Sequence, residues 1–489
     1  MGTTHGRLAF PALVFTLALS ACAAPDYPNK PLAAQTSNAD WQAFLPGEPT
    51  ERPIIFMAFS GGGTRAAALA LSVLQQLRAA EYQEGGKPVR LIDRVSLVSS
   101  VSGGSVTAGY FGLYGADGLD GLSDEFLKKD NMAALEWTAA NPITWFRLAS
   151  GKYTRVDALR DLLDREIFHG KTFGDLPNSG RPAILLNATD MASGEVFGFT
   201  TDRFNDICSD LGKLPLSVGV AASAAFPVAL SPVDIQNFSG ADCAGDIPED
   251  AWIATDLKKL GTRYLNPEEY KRARYAASLR RMDGAYRDIH YLHLLDGGVA
   301  DNQGIHSLMD ALFSPHGPVN LLEEINKGHR KRIVVIAVNA RSDPASELDQ
   351  DPHTPGIIDM VKSVAGVPID SATASLNVRL QNLVDEIRLG VGDADAGNGA
   401  DPLFKGLTIY PISIDFDRFR PGQETQRDAV KAIGTTWTLS NTELRETADA
   451  GKTLLEQEPC YQRLLLDLGV TASFVDPDFA TTYCAQSGD

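Results

Sequence analysis

The spacing of apolar positions changes along this chain, and the changes mark its elements. Six short, mostly apolar runs stand out: Ile54–Phe59, Val95–Ser99, "AILLNATD" (183–190), the start of "HLLDGGVADNQG" (293–304), "RIVVIAVNA" (332–340) and "LTIYPISID" (407–415). Such runs suit strands covered on both faces, as in a parallel sheet. Helical spacing takes over between them, as at Leu69, Val73, Leu74 and Leu77. Strands alternating with helices predict an α/β fold with a largely parallel sheet. Two stretches, 233–290 and 342–405, break the alternation and read as insertions. The second holds an apolar stripe of Leu376, Leu380, Leu383, Val384 and Ile387. It ends in "GDADAGNGADP", which places Gly397 and Phe404 where a calcium loop needs oxygen ligands, so a turn is expected there.

The N-terminus has a different pattern. Arg7 precedes an apolar run from Leu8 to Ala21, shorter than the ~20 residues a membrane-spanning helix needs. It closes on "LSAC", Leu19 to Cys22, which resembles the cleavage and lipidation site of bacterial lipoproteins. The expectation is a signal peptide over 1–21, a lipidated Cys22, a tether over 22–50, a catalytic domain over 51–470 and a tail over 471–489. The protein would then sit in the bacterial cell envelope, attached to a membrane through Cys22. Four further cysteines remain, Cys208, Cys243, Cys460 and Cys484. An even number in an exported chain suits disulfides, and the most local of three possible pairings is Cys208–Cys243 with Cys460–Cys484. Charge narrows the partners: 44 basic residues against 62 acidic ones give −18, which disfavours nucleic acid.

Three segments carry candidate chemistry. "SGGGTRA" (60–66) follows the first strand. Its Gly61, Gly63 and Ala66 formally match a dinucleotide-binding fingerprint. Adjacent glycines equally let backbone N–H groups converge on one oxygen at a helix start, which makes an oxyanion hole. "SVSGG" (100–104) places Ser102 in a frame close to the G-x-S-x-G nucleophile elbow, with Gly104 behind it and Ser100 where the first glycine is usual. "LLDGG" (294–298) ends an apolar strand on Asp296, a candidate activating carboxylate.

In this order the three segments resemble the patatin-like phospholipases and the related cytosolic phospholipases. "ATDMASGEVFGF" (188–199), "VAASAAFPVALSPV" (220–233), "DGGVADNQG" with Asn302, and "LSNTELRETADAGKTLL" (439–455) agree with that family's pattern, so the resemblance spans roughly 52–456. It implies a three-layer α/β/α sandwich and a serine acyl hydrolase with a Ser–Asp dyad, without cofactor or metal. Ser102 would be the nucleophile and Asp296 its base. Gly62, Gly63, Thr64 and the Gly103 N–H would face the oxyanion. Arg65 matches the family's basic position, with an electrostatic and a structural role both open.

Some alternatives stay in play. His306, His316, His329 and His353 all follow Asp296, so chain order permits a triad. His293 lies on the same strand as Asp296 and is expected on its face. The expected substrate is a phospholipid or lysophospholipid. Acyl transfer at the same site and a non-catalytic lipoprotein with a degenerate elbow are the rival readings. "NPEEYKRARYAASLRR" (266–281) adds a basic helix expected to touch anionic lipid.

Overall fold

The computed structural model describes residues 27–33, 44–45, 52–149, 153–227, 229–240, 243, 251–263, 266–283, 285–314, 331–342 and 406–486. Its strands are β1 (Pro53–Phe59), β2 (Glu81–Glu84), β3 (Lys87–Arg90), β4 (Val95–Val101), β5 (Ala183–Asp190), β6 (Val196–Gly198), β7 (Val233–Gln236), β8 (Tyr291–Asp296), β9 (Arg332–Asn339) and β10 (Thr408–Asp415). Eight of them form one sheet in the order β10-β9-β1-β4-β5-β8-β7, with β6 paired to β5. The five from β10 to β5 are parallel.

Side chains along these strands alternate between two cores. Ile55, Met57 and Phe59 of β1 join Val334, Ile336 and Val338 of β9 on one side. Ile54, Phe56 and Ala58 join Ile333, Val335 and Ala337 on the other. The first side is covered by helices Gly63–Ala79, Gly103–Leu122, Asn441–Gln457 and Pro459–Asp467, the second by Ile305–Phe313. Burial on both faces explains why these strands are apolar throughout rather than alternating, and the result is an α/β/α sandwich.

The other edge departs from the parallel expectation. β8 runs antiparallel to β5, and β7 antiparallel to β8. The stretch expected to begin an insertion at 233 therefore starts with an edge strand of the sheet. Disulfides Cys208–Cys243 and Cys460–Cys484 are both formed. The basic segment is a helix, Pro267–Leu279, capped by Asn266. Cations of the helix and of the residues after it have partners within the protein. Lys271 pairs with Glu195, Arg280 with Asp206 and Arg281 with Asp288, while Arg274 lies over the Tyr286 ring. These partners offset part of the positive charge on which the expected contact with anionic lipid depends.

The leader with Cys22, the stripe at 376–387, the "GDADAGNGADP" turn, and His316, His329 and His353 lie outside the described residues.

Candidate active site

β1 and β4 are adjacent parallel strands, so the turns that follow them emerge side by side. Each turn opens a helix, at Gly63 and at Gly103. The two turns touch so closely that a Cβ on Gly103 would lie 1.9 Å from the Gly63 carbonyl oxygen. A Cβ on Gly104 would lie 2.7 Å from the Ser60 carbonyl oxygen. The glycines behind Ser102 are thus required by the approach of another backbone.

Ser102 occupies the bend itself, with φ 51° and ψ −121°. Serine rarely adopts positive φ, and such a residue costs roughly 1–3 kcal/mol that the surroundings must offset. They do so through hydrogen bonds. The Ser102 N–H donates to Ser223 Oγ at 2.9 Å, and Ser223 Oγ donates to the Asn187 carbonyl at 2.6 Å. Ser105 Oγ lies 2.9 Å from Ser223 Oγ and donates to Ser100 Oγ at 3.1 Å. Ser100, in place of the usual first glycine, is accommodated as a member of this buried network. Ser105 belongs to it too, and Ser99 Oγ donates to the Gly304 carbonyl at 2.7 Å.

Strand register explains how Asp296 reaches Ser102. Val101 pairs with Asn187, and the next residue of β5, Ala188, pairs with Asp296. Ser102 and Asp296 therefore stand at one level on either side of β5, about 10 Å apart along the sheet. The bend at Ser102 brings its side chain beside the Asp296 carboxylate, close enough for the serine to favour the ionised form. Asp296 Oδ1 also accepts the Gly298 N–H at 2.8 Å. The Asp296 and Gly297 N–H groups donate to the Ala225 and Ser223 carbonyls, so one small-residue segment braces both partners. Burial pushes the Asp296 carboxyl up to about 6, against the opposing effects of the Gly298 N–H and the Ser102 side chain.

Not every expected donor in the glycine loop is available. The Gly61 N–H is held by the Asn302 carbonyl, and the Thr64 N–H by the Thr436 carbonyl, both at 2.9 Å. Thr64 is therefore corrected from an oxyanion donor to an anchor of the loop. Among the described residues no acceptor engages the N–H groups of Gly62, Gly63 or Gly103. They sit at the first turns of two helices, where positive potential gathers. Arg65 resolves to a structural role. It is 2% exposed and donates to the Ala340 and Ile433 carbonyls. Burial lowers its guanidinium to about 10.

Neither described candidate histidine shares the Ser–Asp contact. His293 precedes Asp296 by three residues, an odd number, so it takes the opposite face of β8, in correction of the shared face expected above. It is exposed, with Nδ1 2.5 Å from Asp234 Oδ1. His306 Nε2 lies 3.6 Å from Asp310 Oδ2. The residue missed from sequence is Ser223. No local pattern distinguishes it, since its role comes from contact with a turn on another strand.

The sequence profile of patatin-like phospholipases matches residues 57–309, just over half of the 489-residue chain. No curated protein matches the chain. Among solved structures, human GIVD cytosolic phospholipase A2 is similar at 12% identity, over 91% of this chain and 68% of that one, with a TM-score of 0.40. That likeness is too loose to bear on function.

Proposed function

Because the chain belongs to the patatin-like phospholipase family, we propose that it hydrolyses acyl esters of phospholipids or lysophospholipids through an acyl-Ser102 intermediate. One observation carries this reading. A serine held in a strained bend lies beside a buried carboxylate whose ionised form it favours, with three backbone N–H groups that no protein acceptor engages among the described residues.

The steps follow from those groups. Asp296 takes the Ser102 proton as Oγ attacks the acyl carbonyl carbon. The N–H groups of Gly62, Gly63 and Gly103 stabilise the negative oxygen that forms. Collapse breaks the ester C–O bond, and Asp296 returns the proton to the departing alkoxide. Water then loses a proton to Asp296 and attacks the acyl-serine; the bond to Oγ breaks, Asp296 returns the proton to Oγ, and the fatty acid leaves with Ser102 restored. A carboxyl raised to about 6 is a stronger base than a free aspartate, yet still ionised at neutral pH. The leader over 1–21 and Cys22 support a lipid-anchored protein of the bacterial envelope, which would bring the site to its substrate.

A fluorophosphonate probe should label wild-type protein at Ser102 and fail on Ser102→Ala. Lipid hydrolysis should vanish in Ser102→Ala and persist in His293→Ala and His306→Ala. If a folded histidine variant is as inactive as Ser102→Ala, the dyad gives way to a triad. Acyl groups appearing on an acceptor alcohol instead of as free acid would convert the assignment to a transferase.

A further inference from the structure

Four large apolar side chains stand in the open within ten residues of one another. Trp137 is 79% exposed, Ile143 69%, Trp145 62% and Phe146 82%. They lie on two consecutive helices, Asn131–Ala140 and Pro142–Ala149. Single exposed hydrophobics are ordinary, but a cluster of this kind marks an interaction surface. The composition narrows the partner. Between Asn131 and Ala149 the only charges are Glu136 and Arg147, one of each sign. Arg147 is drawn over the Tyr153 ring, 3.8 Å from its centroid, and towards Asp161. Glu136 and Arg147 stay exposed but cancel, so the patch is aromatic with no net charge.

The patch is also fixed relative to the active site. Thr438 Oγ1 accepts the Met132 N–H at 2.8 Å and donates to Asp130 Oδ1 at 3.0 Å, which ties down the start of the first helix. Two residues earlier, Thr436 holds the Thr64 N–H of the glycine loop. One short segment thus connects the exposed aromatics to the turn beside Ser102.

We propose that Trp137, Ile143, Trp145 and Phe146 form the surface that seats this protein on a zwitterionic lipid bilayer, with the Ser102 site against the lipid headgroups. Tryptophan suits the depth between headgroups and acyl chains, where its amphipathic ring meets both water and hydrocarbon, and phenylalanine and isoleucine add apolar area that the acyl boundary can bury. The neutrality of the patch, on a chain of net charge −18, favours zwitterionic over anionic lipid. This deepens the hydrolase reading by naming how the site meets its substrate, and it rests on that reading only for the activity measurements below.

The test uses the full chain and phosphatidylcholine vesicles. Brominated phosphatidylcholine should quench the tryptophan fluorescence of the wild type, and Trp137→Phe/Trp145→Phe should lose most of that quenching. Ile143→Ser/Phe146→Ser should slow hydrolysis of vesicle lipid by roughly tenfold or more while leaving turnover of a soluble short-chain ester unchanged. Both effects should persist in high salt. Unchanged quenching in the tryptophan variant overturns the proposal. So does an equal loss on vesicle and soluble substrates, or a dimer in sedimentation that the serine variant dissolves. If the wild type cleaves no ester at all, the hydrolase reading falls, and the quenching comparison still decides the membrane surface.

Discussion

Replacing Asp296 with Asn should remove activity and make the protein more stable at neutral pH. The amide has nearly the shape of the carboxylic acid and can still accept the Gly298 N–H. What it lacks is a charge that must be buried. The carboxyl rises from 3.8 to about 6 on folding, so the native state holds the proton more tightly than the unfolded chain does. Stability from this group is fully present below the unfolded value, falls as pH rises from 3.8 to about 6, and stays low above that. The full loss is ~3 kcal/mol, at 1.36 kcal/mol for each tenfold change in proton affinity. The variant should therefore exceed the wild type by up to ~3 kcal/mol near pH 7.5 and by only ~1 kcal/mol near pH 4.5. Urea unfolding of both proteins at the two pH values measures the gap directly, because every other titrating group cancels in the comparison. A variant less stable than wild type at pH 7.5, or a gap that does not shrink on acidification, would refute the reasoning.

Three further outcomes follow from the site and its scaffold. Ser223→Ala should lower kcat more than it raises KM and cost ~1–3 kcal/mol of stability, since it leaves the Ser102 N–H buried without its acceptor; steady-state kinetics and urea unfolding would show both. Gly103→Ala should cost at least ~3 kcal/mol or prevent folding, because its new methyl would meet a backbone carbonyl that cannot swing aside; a near-normal urea midpoint would contradict the close approach of the two turns. Removing the Cys208–Cys243 bridge by double alanine substitution should cost ~3–4 kcal/mol, from the loop entropy of a 35-residue separation; differential unfolding of oxidised wild type and variant would test it.

The parallel half of the sheet was legible because strands buried on both faces leave continuous apolar runs. β5 was found at its full extent, Ala183–Asp190, and β9 and β10 within a residue at each end. The antiparallel edge was harder. β7 is only four residues long, too short to register as a pattern, and the three-residue β6 was expected only through the family resemblance of 188–199. The alternating burial of β8, with Leu292 and Leu294 inward and Tyr291 and His293 outward, was a readable sign of a different edge, and it also places His293 away from Asp296. The chemistry on sharp turns was visible because turns demand glycine, and glycine can be read. The fate of Thr64 was not, since the carbonyl that occupies its N–H belongs to Thr436, a partner that only tertiary folding supplies.

The same long-range anchoring sets a condition on when the protein becomes competent. The glycine loop occupies positions 61–63, near the start of the fold, but its position is held by Ala340, Ile433 and Thr436. A growing chain must be synthesised well past residue 309, where the family match ends, before those atoms exist. Ser102 can meet Asp296 earlier in synthesis than the loop opposite them can be clamped. An unfinished or C-terminally clipped chain would therefore carry its serine and its carboxylate without the contacts that hold the glycine loop opposite them.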